Sequence, residues 1–437
     1  MNILIINGSP KGENSITLQT CLYIEKHHPE HRFRVFHAGQ KIRQEEKDFS
    51  PATEALEWAE LILFSYPVYT FLVPSQLHRF IELMKEHRAE FSLKGKWASQ
   101  ITTSKHFFDV TAHRFIEENA RDLGLKVFPG LSADMEDLLC EKGRGEALQF
   151  FDYLMFQINP AASEEATDIS ENVVAVVADL SPGDAQLERM VQEFREKMPC
   201  KTKLINIREY PLKGGCISCF HCSGEGKCIY PDGFDTFLRE EIQTSDAIVY
   251  AFTVRDHSMG SRFKMYDDRQ FCNGHRTVTM GSPTGYIVAG NYAAEPNLQM
   301  VIEGRANVGG NYLCGVATED GAQDPVHRTM GIDDLALRLT YALSKQLRQP
   351  ANFFGVGGMK IFRDLIYQMR GLMRADHKFF KSHGQYDFPQ KKWKQSLLMY
   401  LVGWMMNSPR MKAKMGGKMT EGMLKPYVEE IDKCESH

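Results

Sequence analysis

The sequence predicts an α/β chain made of two doubly wound parallel-sheet domains in tandem, followed by a basic helical extension. Three observations carry this. Short, wholly apolar runs recur at residues 3–6, 61–64 and 173–177, as in parallel strands buried on both faces. Each run leads into a turn-rich loop and then a helical stretch, the alternation that builds a doubly wound sheet. The alternation restarts after a polar, acidic stretch at residues 159–171, which reads as a linker.

A chain of 437 residues exceeds what one core normally supports, so several domains are expected. We read residues 1–158 as the first domain, 172–349 as the second and 350–437 as the extension. The net charge of −4 gives no global sign of nucleic-acid binding. Residues 1–10 read as a strand and turn rather than a signal peptide. No apolar run reaches the ~18 residues of a spanning helix. The expected location is the reducing cytoplasm, with peripheral membrane contact as an option.

In the first domain, the strand at 3–6 runs into Asn7-Gly-Ser-Pro-Lys-Gly-Glu-Asn-Ser15, ahead of a helix from about Ser15 to Lys26. Small and hydroxylated residues between a strand and a helix can hold a phosphate through N–H groups, hydroxyls and the helix N-terminus. The loop is neither a Walker loop nor a G-x-G-x-x-G turn. A plain helix cap at Asn14 or Ser15 explains it equally well. A second strand at 32–36 precedes a polar link and a helix near 52–58. A third strand then meets Ser65-Tyr-Pro-Val-Tyr-Thr-Phe71, a loop of flat side chains at a strand's C-terminal end, where open α/β sheets bind ligands. A fourth strand at 97–102, a loop at 103–108, helices at 112–123 and 147–156, and a strand at 125–128 complete the pattern.

The segments Gly8–Ser15 and Tyr66–Tyr69 followed by Pro74-Ser-Gln-Leu resemble the phosphate loop and ring loop of the NADPH-dependent FMN reductase family, whose fold is flavodoxin-like. The resemblance covers about residues 1–158. It implies that Ser9, Lys11, Asn14, Ser15 and Thr17 surround an FMN phosphate. It also implies that Pro67, Val68, Tyr69, Thr70 and Phe71 border the isoalloxazine, with Thr103, Ser104 and His106 on the loop that completes the pocket. His106 and Tyr69 are the candidate proton donors, since both sit on loops expected to face the ring. A loop-stabilising hydrogen bond is the alternative for His106.

The second domain repeats the pattern but departs at both loops. Ser181-Pro182 matches Ser9-Pro10 without the hydroxyl-rich run, and the ring loop reads Thr253-Val-Arg-Asp-His-Ser-Met-Gly. A second flavin is therefore in doubt. Arg255, His257 and Arg262 fit either an anionic ligand or solvated loop charge.

The same domain carries Cys216, Cys219, Cys222 and Cys228, spaced x2, x2 and x5. This compact run suits thiolate ligation of an iron–sulfur cluster better than structural zinc, which takes ligand pairs from separate turns. Zinc, with His221 nearby, and ordinary reduced thiols remain alternatives. The stretch from Gly215 to Phe234 also resembles the cysteine motif of iron–sulfur flavoproteins, which implies a 4Fe–4S cluster.

Between Met359 and Lys418 the chain holds thirteen Lys/Arg against three Asp/Glu. Residues 359–373 show helical periodicity, and residues 397–406 form an apolar run flanked by lysines and arginines. The segment 390–418 fits packing on this protein, dimerisation or an anionic membrane surface. Taken together, the expectation is an NAD(P)H-dependent FMN oxidoreductase, homo-oligomeric, passing electrons to a small-molecule or protein acceptor. An electron carrier of the flavodoxin type and a zinc-stapled interaction protein are the alternatives.

Overall fold

The structure, a computed structural model, describes residues 1–160, 168–324, 328–389, 392–406 and 409–434. The chain forms two compact units, Met1–Ala161 with Asp387–His437, and Ala162–Tyr386. The expected linker falls partly on residues 161–167, outside the described residues.

The first unit holds a parallel sheet of β1 (Asn2–Asn7), β2 (Arg32–Phe36), β3 (Leu61–Pro67), β4 (Trp97–Ser104), β5 (Lys126–Val127) and β6 (Leu131–Asp134). The order is β2-β1-β3-β4-β5, with β6 also on β4. Successive side chains of a strand point to opposite faces, so each apolar strand feeds two cores. Ile3, Ile5, Leu61 and Leu63 pack with Leu18 and Ile24 of helix Ile16–His27 and with Phe151 and Leu154 of helix Glu141–Ile158. Leu4, Ile6, Ile62 and Phe64 pack on the other face with residues of helices Ser50–Trp58, Ser75–Glu86 and Asp109–Asp122.

The second unit repeats the plan with β7 (Val173–Ala178), β8 (Lys201–Asn206), β9 (Ala247–Thr253), β10 (Pro283–Ala289), β11 (Tyr312–Thr318) and β12 (Thr329–Met330). Its order is β12-β11-β10-β9-β7-β8, again with parallel pairing throughout. Both sheets are flavodoxin-like, with the strand order switching beside β1 and β7.

Several boundaries differ from the expectations. The fifth strand is split, because Phe128-Pro-Gly interrupts it and β6 resumes against β4. The expected polar link contains a helix, Ala38–Glu45, whose Gly39 sits against the Gly8 carbonyl; a Cβ there would lie 2.3 Å from that oxygen. Residues 350–437 divide between the units. Helix Arg374–Ser382 sinks Asp376 and Phe380 fully into the second unit. Helix Pro409–Lys433 lays Tyr427 and Ile431 against Tyr23 and Leu138 of the first.

Candidate functional site

At the C-terminal end of the first sheet, three loops enclose a cavity of about 340 Å³. The β1 loop supplies Ser9, Lys11, Ser15 and Thr17, the β3 loop supplies Pro67 to Phe71, and the β4 loop supplies Thr103, Ser104, Lys105 and Phe107. One wall is therefore rich in hydroxyls and the other is aromatic.

The hydroxyl wall is held by its own hydrogen bonds. Asn7 Nδ2 donates to the Gly12 carbonyl at 2.8 Å, and Asn7 Oδ1 accepts from the Ser9 amide at 3.1 Å. Ser15 caps helix Ile16–His27, its Oγ accepting from the Leu18 amide. Thr17 and Thr103 share a hydroxyl–hydroxyl bond of 2.6 Å across the sheet end. Ser9, Ser15, Thr17 and Thr103 are all at most 5% exposed. Asn14, expected with them, is exposed and outside the lining.

The aromatic wall is a tight turn. Tyr69 and Leu72 exchange backbone hydrogen bonds of 2.8 and 3.1 Å, and Thr70 and Phe71 between them have φ of 48° and 72°. Two positive φ values define a type I′ geometry that normally selects Asn-Gly. The turn is held by the Thr111 hydroxyl, which donates to the Phe71 carbonyl, and by ring contacts of Phe71 with Phe107 and Phe108 at 5.2 and 4.8 Å. Beneath it, Tyr66 is buried and donates to Gln100 Oε1 and the Ala112 carbonyl, so Pro67 leaves the sheet from a fixed point.

His106 lies elsewhere than its expected ring-facing position. Its side chain is buried with Nδ1 at 3.0 Å from Asp109 Oδ2 and 3.3 Å from Ser132 Oγ, and it does not line the cavity. The fully buried Asp109 carboxylate at the start of a helix draws the imidazole inward, and φ of 60° at His106 permits it. Ile16 and Met135 line the cavity unannounced by sequence. Met135 arrives with β6, whose start after Phe128-Pro-Gly gives no local signal for the pocket.

In the second unit, Cys216, Cys219, Cys222 and Cys228 line one cavity of about 340 Å³ together with a fifth thiol, Cys272. Burial pushes the Cys272 thiol up to about 12. Burial also raises Cys222, whose Sγ–H donates to the Phe271 carbonyl at 2.9 Å. The cysteine loop is braced by arginines. Arg269, 1% exposed, donates to both Asp232 oxygens at 2.8 and 2.9 Å and to the Gly214 carbonyl, with Cys228 Sγ at 3.7 Å. The guanidinium holds the Asp232 carboxyl down at about 2. Arg239 donates to the carbonyls of Gly226 and Cys272. His221 is outside the lining. Among the described residues, no three His, Cys, Asp or Glu side chains are grouped so as to hold a single metal ion.

The positions in the second unit equivalent to the loops of the first cavity carry charge. Asp184 stands just before helix Ala185–Lys197 and accepts from Thr253 at 2.7 Å and from Arg255 at 3.5 Å. His257 faces Glu295 at 3.0 Å. Arg262 turns inward to the Ile207 and Tyr210 carbonyls.

The fold and the first cavity define a flavodoxin-like α/β protein with a cavity at its sheet switch point. Comparison with known proteins agrees: residues 1–123 match the family described as flavodoxin-like fold. The chain is 25% identical over 197 residues to an iron-sulfur flavoprotein of Archaeoglobus fulgidus, covering 43% of this chain and 84% of that protein. The fold is similar to an NADH:FMN oxidoreductase in its apo form, with 18% identity, 36% of this chain and 89% of that one, and a TM-score of 0.32. It is also similar to an FMN-dependent NADH-azoreductase of Bacillus anthracis in complex with FMN, with 13% identity, 34% and 93% coverage, and a TM-score of 0.26.

Proposed function

We propose that this protein is an FMN-dependent oxidoreductase that takes hydride from NAD(P)H, and that its cysteine loop holds a 4Fe–4S cluster passing electrons to an acceptor. The observation that carries the reading is the division of the first cavity. Buried hydroxyls and a helix N-terminus stand on one wall, and flat side chains on the other. That pairing suits a ligand with a phosphate at one end and a planar ring at the other. The match of residues 1–123 and the iron-sulfur flavoprotein relative support it. When bound, FMN would accept hydride and return electrons singly or in pairs, and the cluster would relay them singly.

The chain's own groups have separable duties. Ser9, Ser15 and the first turn of the helix bind the phosphate; Pro67 to Phe71 orient the ring. Tyr69, at the rim, supplies a proton to the reduced acceptor. His106, paired with Asp109, orders the loop rather than reaching the ring. Cys216, Cys219, Cys222 and Cys228 fit a cluster because a cluster is broad. Its thiolates surround a cavity, whereas ligands to one ion must converge on a point.

Anaerobic purification with FMN extraction, iron and zinc analysis and absorption spectra tests both parts. FMN bands bleached by NADH or NADPH are expected. Cys219→Ser, at an exposed position, should keep FMN and bleaching and lose iron. Zinc in place of iron, or iron retained in that variant, would overturn the cluster; absence of FMN would overturn the whole reading. Tyr69→Phe should keep FMN and lower turnover roughly 100-fold or more, the usual scale of a lost proton donor.

A further inference from the structure

The segment from Phe388 to Lys418 contains seven Lys/Arg and no Asp/Glu. Within it, helix Trp393–Met406 is apolar on nearly every turn, and those of its side chains that the structure describes are exposed. Leu397, Leu398, Met399, Tyr400 and Leu401 are each more than half exposed, as are Trp393 and Trp404 at its ends. Ser396 is exposed too, so six consecutive residues are uncovered. At roughly 100° per residue, six positions go more than once around the helix. A packing partner would cover one side of such a helix and leave the other in water. A surrounding apolar medium covers all of it.

From these facts we infer that helix Trp393–Met406 embeds in one leaflet of an anionic bilayer. Its fourteen residues, at about 1.5 Å each, extend about 21 Å, short of a hydrocarbon core about 30 Å thick. No described helix is long and apolar enough to cross a membrane. The aromatic residues give the orientation. Trp393, Tyr400 and Trp404 stand seven and four residues apart, so they form one stripe along the helix. Trp and Tyr prefer the headgroup level, and a stripe running end to end keeps the helix in the plane of the leaflet. Lys392 and Lys394, both exposed, adjoin one end, and Arg410, Lys412 and Lys414 follow the other in sequence. These charges complement lipid phosphates rather than water alone.

The helix is tied to the first unit through Pro409–Lys433. Tyr427 Oη donates to the Met135 carbonyl at 2.8 Å, and Arg144 pairs with Glu430 at 3.0 Å. Met135 is also a lining residue of the flavin-type cavity. Membrane docking therefore attaches beside that cavity, whatever the cavity holds.

The test is co-sedimentation of the intact protein with phosphatidylcholine vesicles, with and without an equal share of phosphatidylglycerol, at low and high salt. Binding to the anionic vesicles at low salt is expected, with a blue shift of tryptophan emission. Leu398→Glu with Leu401→Glu should lower binding at least ten-fold. Lys392→Gln with Lys394→Gln should lower it roughly five-fold for each lysine, on anionic vesicles only. All four positions are solvent-exposed, so circular dichroism and melting should match the parent protein. Wild-type protein that stays in solution with anionic vesicles would overturn the inference. So would binding unmoved by the glutamates. A vesicle-free dimer that the glutamates dissociate would assign the helix to self-association instead.

Discussion

The two sheets share an order and even a turn, yet they present opposite chemistry at the same end. In the first unit the turn Tyr69–Leu72 offers an aromatic face. In the second, Arg255 and Ser258 exchange the same pair of backbone bonds, at 2.9 Å each, around Asp256 and His257 with φ of 50° and 59°. The backbone repeats and the side chains do not. The loops after β1 and β7 diverge further. Residues 8–15 end in Ser15, whose hydroxyl caps the helix, whereas residues 179–184 are two shorter and end in Asp184, which stands at the helix start without a side-chain cap bond. A carboxylate where a phosphate would sit repels it, and Asp184 already satisfies Thr253 and Arg255. The second unit keeps the scaffold and fills the corresponding corner with its own ion pairs.

The comparison can be broken most forcefully at the buried pair of the second unit. Arg269→Ala leaves Asp232 charged and dry and should cost roughly 3–5 kcal/mol of that unit's stability, measured by denaturant unfolding. The first cavity should be untouched, because its lining lies wholly in the other unit. Next in size is the conversion of one loop into the other. Ser15→Asp should weaken FMN retention by roughly 100-fold or more, since a lost charged hydrogen bond is worth roughly 1.5–3 kcal/mol and repulsion adds to it. Ser9→Ala with Ser15→Ala should cost roughly 1.5–3 kcal/mol per hydroxyl, read by fluorescence of released FMN. Unchanged retention would place the flavin elsewhere.

A pH effect follows from Asp232. Its folded carboxyl is held at about 2, below the unfolded range near 4. The stabilisation is thus fully present above about pH 4 and is lost as pH falls toward about 2, by roughly 2 kcal/mol. Acid melts of Asp232→Asn compared with the parent protein should converge across that window. The smallest effect belongs to the second turn. The Arg255–Asp184 pair is half exposed on the arginine side, so Arg255→Ala should change stability by less than about 1 kcal/mol and leave FMN content unchanged.

Much of this was legible in the chain. Apolar runs such as Ile3–Ile6 gave strands because parallel strands bury both faces, and the loops mattered because they follow those strands' C-terminal ends. Ser9, Ser15, Thr17, Tyr69 and Phe71 share one cavity for that reason. For His106 the sequence left two readings, and the structure shows the loop hydrogen bond, to Asp109, because its direction depends on a buried partner. A histidine three residues before a helix-initiating aspartate was the available signal. Met135 and the Arg269–Asp232 bracket were not legible, because each is joined to its site only through tertiary packing. The apolar run at residues 397–406 was visible, but only the exposure of six consecutive side chains, 396–401, argues for a leaflet over a packing partner.

The first unit is discontinuous, and that sets an order of events during synthesis. Its sheet is complete by residue 134, but the seat formed by Tyr23 and Leu138 receives Tyr427 and Ile431 only after the whole second unit has emerged. Contacts across so large a sequence separation form late, since loop closure must precede them. The greasy helix at 393–406 therefore leaves the ribosome when both sheets can already be folded. A nascent chain halted before residue 390 would have every strand and neither the seal nor the sticky segment, so the late position of the helix shortens the time in which it can aggregate.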